Sequence, residues 1–139
     1  MSQENVERVR ETFEAFGRGD LRAALQHVRL EVRTHRIAPL SDPKTYAGPA
    51  GMLMAWGDWT GPFEDFELEV GELIDAGDSV VAEIRQRGRY KDSGEPMEGQ
   101  LWFVCTFYGD EMVQWDMLAS KFQAFKGIGR REEPPADTS

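Results

Sequence analysis

Leu101-Trp102-Phe103-Val104-Cys105-Thr106-Phe107-Tyr108, then Gly109-Asp110-Glu111, then Met112-Val113-Gln114-Trp115-Asp116-Met117-Leu118: two aromatic and β-branched runs around a short polar break read as the strands of a hairpin. Side chains alternate across a strand. In the first run Leu101, Phe103, Cys105 and Phe107 are all apolar and are expected to face a core, with Trp102, Val104, Thr106 and Tyr108 facing outward. In the second run Gln114, Asp116 and Leu118 share one face, and Val113, Trp115 and Met117 share the other.

The same grammar extends backwards. Ser79 to Tyr90 places Val80, Ala82 and Ile84 on an apolar face and Val81, Glu83, Arg85 and Arg87 on a polar one. Phe63 to Ile74 precedes it across Asp75-Ala76-Gly77-Asp78, and Lys91 to Pro96 forms the next break. Long strands joined by short turns make an antiparallel meander. Ahead of them the period becomes helical. Val6, Val9, Phe13 and Phe16 form one stripe, stopped by Gly17 and Gly19 as glycine stops helices. Asp20 is a good N-cap for a second helix with Leu21, Ala24, Leu25 and Val28 on one face. Leu30 to Ile37 alternates as a strand, residues 38–49 read as a loop, and Ala50 to about Trp59 as a third helix. A loop that long in a compact domain is often functional.

Helices first and a meander second imply an α+β fold, a curved antiparallel sheet wrapped around N-terminal helices. Its open end is where a pocket is expected. The expected organisation is one domain over residues 1–128 and a disordered, charged, proline-bearing tail over 129–139.

The 139 residues carry a formal net charge of -9, which disfavours nucleic acid and anionic membrane surfaces. The single cysteine, Cys105, cannot form an internal disulfide and reads as a buried core thiol. The first residues lack a basic-then-apolar signal pattern, and no apolar stretch approaches the ~20 residues of a membrane span. The expected location is cytoplasmic. His27 and His35 stand apart with no histidine–glutamate cluster, so no metal is implied. No phosphate loop or serine elbow appears, so no cofactor is implied either.

Several motifs together carry a family resemblance. Phe13 to Leu21, Tyr46-Ala47-Gly48-Pro49-Ala50-Gly51, Phe63-Glu64-Asp65-Phe66, Ile74 to Val81, Trp102 to Phe107 and Val113-Gln114-Trp115-Asp116 resemble, in order and spacing, the SnoaL-like branch of the nuclear-transport-factor-2-like superfamily. The resemblance covers roughly residues 5–126 and implies a cone-shaped cavity and frequent dimerisation through the outer sheet face. In many members the last motif reads Glu-His-Trp-Asp, with the histidine and aspartate lining the cavity. Here Asp116 matches the aspartate and Gln114 replaces the histidine. Glutamine can hold a carbonyl but cannot shuttle protons. Ketosteroid isomerase chemistry is not expected, because Arg36, Thr12 and Phe103 stand at its three essential positions.

Asp116 is therefore the candidate catalytic acid–base, its pKa raised if an apolar cavity holds it. Gln114, His35, Tyr46, Trp56 and Phe103 are the candidate substrate-binding residues. The functional expectation is a cofactor-free isomerase, cyclase or dehydratase acting on a small hydrophobic carbonyl compound. The alternatives are a non-catalytic binding protein for such a molecule and a dimeric association module. Trp102, Tyr108 and Arg85 on the outward face suggest a homodimer.

Overall fold

The computed structural model describes residues 2–36, 44–118 and 120–132, with side chains undescribed at Ser2, Arg36 and 127–132. Its elements run α1 (Ser2–Gly17), α2 (Leu21–Ala24), β1 (Val28–Arg36), β2 (Lys44–Ala47), α3 (Gly48–Thr60), β3 (Phe63–Ala76), β4 (Ser79–Tyr90), β5 (Pro96–Tyr108), β6 (Glu111–Leu118) and α4 (Lys121–Glu132). The six strands form one sheet in the order β2-β1-β6-β5-β4-β3. The expected meander is β3 to β6. Strand β1 joins it in parallel, with Arg33 opposite Gln114 and His35 opposite Asp116.

Three local differences from the sequence expectation have simple causes. The second helix is a single turn, capped by the Asp20 carboxylate accepting from the Ala23 N–H at 3.1 Å, because the chain enters β1 by Val28. Residues 44–47, expected in a loop, form β2, since the free edge of β1 offers Tyr46 a place opposite Thr34. Of the rest of that expected loop, residues 48–49 open α3, and residues 38–43 lie outside the described residues. Finally, α4 carries regular structure to Glu132, past the boundary drawn at residue 128.

The sheet curves because β3 carries two irregularities. At the first, between Glu64 and Glu67, Asp65 adopts a left-handed φ of 56°, which aspartate tolerates better than most residues. Across from it Gly88 leaves room; a Cβ there would lie 3.1 Å from the Glu64 carbonyl oxygen. The second lies between Val70 and Leu73. There the Glu72 N–H donates to the Glu83 carboxylate at 3.0 Å, which also accepts from Gln100 Nε2 at 2.5 Å and Arg85 Nε at 3.1 Å. Bulges of this kind bend a strand and increase its twist.

Bending gives the sheet an inner and an outer face. The inner face packs on α1 and α3. Val6, Val9, Phe13 and Phe16 of α1 are buried there, as their spacing requires, with Ile84, Leu101, Phe103, Cys105, Trp115 and Met117. Cys105 is fully enclosed, and burial, with the charge of nearby Asp116, pushes its thiol well above its ordinary value; it is the inert core thiol expected. The outer face holds a second, smaller cluster of Val81, Trp102, Val104 and Leu118 covered by Ala124 of α4. Trp102, expected to face solvent or a partner, is only 6% exposed, with Lys121 of α4 5.6 Å above its ring. No helix among the described residues is long and apolar enough to cross a membrane.

Candidate functional site

The six residues singled out from sequence separate onto opposite faces of the sheet. Register decides this. Asp116 stands opposite Val104 on β5 and Gln114 opposite Thr106, both outer-face positions. Trp115 and Met117 take the inner positions and are fully buried. Side chains alternate, so burying these two large apolar groups sends Gln114 and Asp116 outward. His35, opposite Asp116, is outward too.

On that outer face the three make one polar group. Gln114 Nε2 donates to both Asp116 oxygens, at 3.2 and 2.9 Å. His35 Nε2 lies 4.0 Å from Asp116 Oδ1, with side chains 30% and 9% exposed respectively. The other ring nitrogen of His35 shares a 3.0 Å hydrogen bond with Thr45 Oγ1. This is a carboxylate held by an amide beside an imidazole held by a hydroxyl. Asp116 is itself buried, with the buried Val104 opposite it on β5, and His35 is the more exposed of the pair.

Tyr46, Trp56 and Phe103 belong to the inner-face core, Trp56 at its edge. Trp56, Phe16, Trp115 and Phe103 form a column: successive centroids lie 4.6, 5.7 and 5.2 Å apart, with planes tilted by 21°, 18° and 22°. Such offset stacking is favourable for aromatic pairs. Trp59 and Phe66 close the Trp56 end edge-on, at 5.1 and 5.9 Å from it. Trp56 is half-buried, whereas Phe16, Trp115 and Phe103 are 0–1% exposed. The Tyr46 hydroxyl is engaged, donating to Asp58 Oδ2 at 2.5 Å. The Trp59 indole N–H donates to Gln86 Oε1 at 2.6 Å.

Two inner-face residues escaped the sequence reading. Thr34 and Trp115 are opposite each other on β1 and β6, both fully buried, and neither Thr34 Oγ1 nor Trp115 Nε1 has a hydrogen-bond partner. The sequence places Trp115 only on the strand face opposite Gln114 and Asp116. Alternation of an otherwise apolar inner face was the available signal.

A groove of about 670 Å³ lies elsewhere, on β3 to β5, lined by Glu67, Glu69, Arg85, Arg87, Glu98 and Gln100 among others. Its arginines are paired: Arg87 to Glu67 at 2.7 Å and Arg85 to Glu83 at 3.1 Å. Small-molecule pockets are mostly apolar, and this charged trough does not fit that description. Among the described residues no three His, Cys, Asp or Glu side chains gather to hold a metal ion.

Comparison with known proteins follows the same lines. The family profile of the SnoaL-like domain matches residues 9–115. Among curated proteins none matches. Among solved structures, an NTF2-like protein of unknown function from Burkholderia pseudomallei superposes with a TM-score of 0.71 at 20% identity, covering 88% of this chain and 95% of that one. The protein TerC, co-crystallised with polyporic acid, gives 0.72 at 15% identity, covering 88% and 96%. A structure from Jannaschia named for a SnoaL-like polyketide cyclase gives 0.74 at 16% identity, covering 96% and 95%. At such identities the likeness is one of fold.

Proposed function

Since this chain belongs to the SnoaL-like domain family, we propose that it is a pocket protein whose inner sheet face binds a small, flat, hydrophobic carbonyl compound. The observation that carries this reading is the column of near-parallel rings ending in a half-buried Trp56. A flat molecule taking the place of Trp56 would stack on Phe16, the next ring down. Trp56 is then the lid. That a fold relative was co-crystallised with polyporic acid supports a small-molecule ligand. With Asp116, Gln114 and His35 on the other face, the inner site supports binding without acid–base chemistry from those three residues.

The test uses 9-fluorenone as the probe and intrinsic tryptophan fluorescence as the readout. Trp56→Ala removes the ring that the probe must displace. It is expected to bind the probe about three- to tenfold tighter, the worth of one aromatic pair. Weaker binding by Trp56→Ala would make Trp56 a fixed wall and reject the lid. Asp116→Asn is expected to leave affinity within about twofold, because Asp116 lies on the opposite face of the sheet from the ring column.

Acid–base turnover at Asp116 is the second reading. One observation favours it, the imidazole of His35 at 4.0 Å. It requires a substrate on the outer face, and Asp116→Asn would then abolish turnover while probe affinity on the inner face persisted.

We also propose a cytoplasmic homodimer. The outer face away from α4 carries a row of Arg85, Arg87 and Arg89 on β4 beside Asp65, Glu67 and Glu69 on β3, a pattern that can complement itself across a two-fold axis. Light scattering at micromolar concentration is expected to give twice the 15.8 kDa chain mass, and Arg87→Glu to lower it. A monomer throughout would dismiss the dimer.

A further inference from the structure

We propose that Thr34 and Trp115 form the polar anchor of the inner site and together hold a neutral acceptor oxygen of the ligand. The inference rests on the preceding reading that the ring column opens to a ligand. Its own observation is different. Thr34 Oγ1 and Trp115 Nε1 are buried without a hydrogen-bond partner, and their residues are 0% exposed. Native proteins leave few such atoms, and each calls for an explanation.

The placement supplies one. Thr34 and Trp115 are register partners on adjacent strands, so both side chains project from the same patch of the inner face. Trp115 is the third ring of the column, on the far side of Phe16 from Trp56, so a molecule displacing Trp56 must extend past the edge of Phe16 to place its oxygen there. Strand β1 is also the strand on which α3, bearing Trp56, packs. The hydroxyl of Tyr46, opposite Thr34 on β2, is already given to Asp58.

The chemistry narrows the ligand. An indole N–H can only donate, whereas a hydroxyl can donate or accept. The ligand must therefore bring at least one acceptor, and a carbonyl oxygen with two lone pairs can serve both donors. The surrounding core consists of Phe13, Phe16, Met52, Phe103 and Met117, which offers no countercharge. A carboxylate or ammonium would be buried unpaired, which is costly. The class is thus a neutral ketone, quinone or ester on a flat apolar frame. Carboxylates and ammonium groups are excluded.

The experiment compares 9-fluorenone, fluorene and fluorene-9-carboxylate, three compounds on one ring frame. Binding is read from the ¹H–¹⁵N spectrum of the tryptophan indoles, with Trp115 assigned by Trp115→Phe. The expected result is that fluorenone binds at least about tenfold tighter than fluorene and moves the Trp115 indole proton downfield. The carboxylate should not bind. Thr34→Val, nearly isosteric, should cut the preference for fluorenone while leaving fluorene affinity unchanged. It should also stabilise the ligand-free protein, because it removes an unpartnered hydroxyl; a purely structural hydroxyl would give the opposite sign.

Equal binding of fluorenone and fluorene with a still indole proton would overturn the anchor while leaving the pocket intact. A Trp115 indole proton that already resonates at a hydrogen-bonded position in the free protein, and does not move, would assign the donor to internal water and likewise overturn it. Failure of fluorenone and fluorene alike to bind would remove the pocket reading itself.

Discussion

Phe103→Ala should lower the unfolding free energy by about 3–5 kcal/mol, the usual cost of deleting a buried aromatic ring from a core that cannot collapse. Phe103 is fully buried and meets rings on three sides: Phe13 at 4.9 Å, Trp115 at 5.2 Å and Trp59 at 5.3 Å. Those partners come from α1, β6 and α3, so the space left behind is bounded by three elements fixed by other contacts. Urea unfolding would measure the loss as a fall in midpoint at unchanged slope. A loss below about 1 kcal/mol would mean that the rings slide together easily, and the column would then be too soft to select flat ligands.

Gly71→Ala and Glu83→Ala should each cost about 1–3 kcal/mol, and the double variant little more than either alone. A Cβ on Gly71 would lie within van der Waals contact of the Glu83 carboxylate, 2.5 Å from Oε1, so the carboxylate must leave. Its departure strands the Glu72 N–H and the Gln100 amide, the same groups that Glu83→Ala strands. One lesion reached by two routes is not additive. Full additivity would separate the glycine from the carboxylate.

The same carboxylate gives a pH signature. The Glu72 N–H foremost, then Gln100 and Arg85, hold the Glu83 pKa below the ordinary range against the opposing effect of burial. A depressed folded pKa adds stability above the unfolded value, about 4.3 for glutamate, and loses it as pH falls through the folded value. The stability gap between the native protein and Glu83→Gln should therefore be steady above about pH 5 and close below about pH 4.

Alternation made the faces legible from sequence, and pairing settled what alternation could not. Phe103, Cys105, Val80 and Ile84 face inward as their spacing indicates, because a strand's own pattern fixes which of its residues belong together. It does not fix which face of one strand lies beside which face of the next. Asp116 shows the gap. Its companions Gln114 and Leu118 were legible, yet the side they occupy follows from the register of Asp116 against Val104, a contact between distant parts of the chain. Trp102 shows another. Its outward direction was legible, but the cover over it, Ala124 and Lys121 of α4, comes from a segment whose short apolar pattern was not read as a helix. Thr34 and Trp115 were hidden for a third reason: a missing hydrogen bond is a property of surroundings and leaves no mark on the residue itself.

The parallel pairing of β1 with β6 also sets an order of events during synthesis. Each hairpin of the meander can close as soon as its own residues emerge, whereas Arg33 must wait for Gln114 before its strand has a neighbour on that side. Until then Phe13 and Phe16 lack Trp115, one of the sheet rings they pack on. Folding dominated by such distant pairings is slow. A ribosome that pauses before β6 is complete would hold a chain with its stickiest surface uncovered, the state in which a chaperone has most to do.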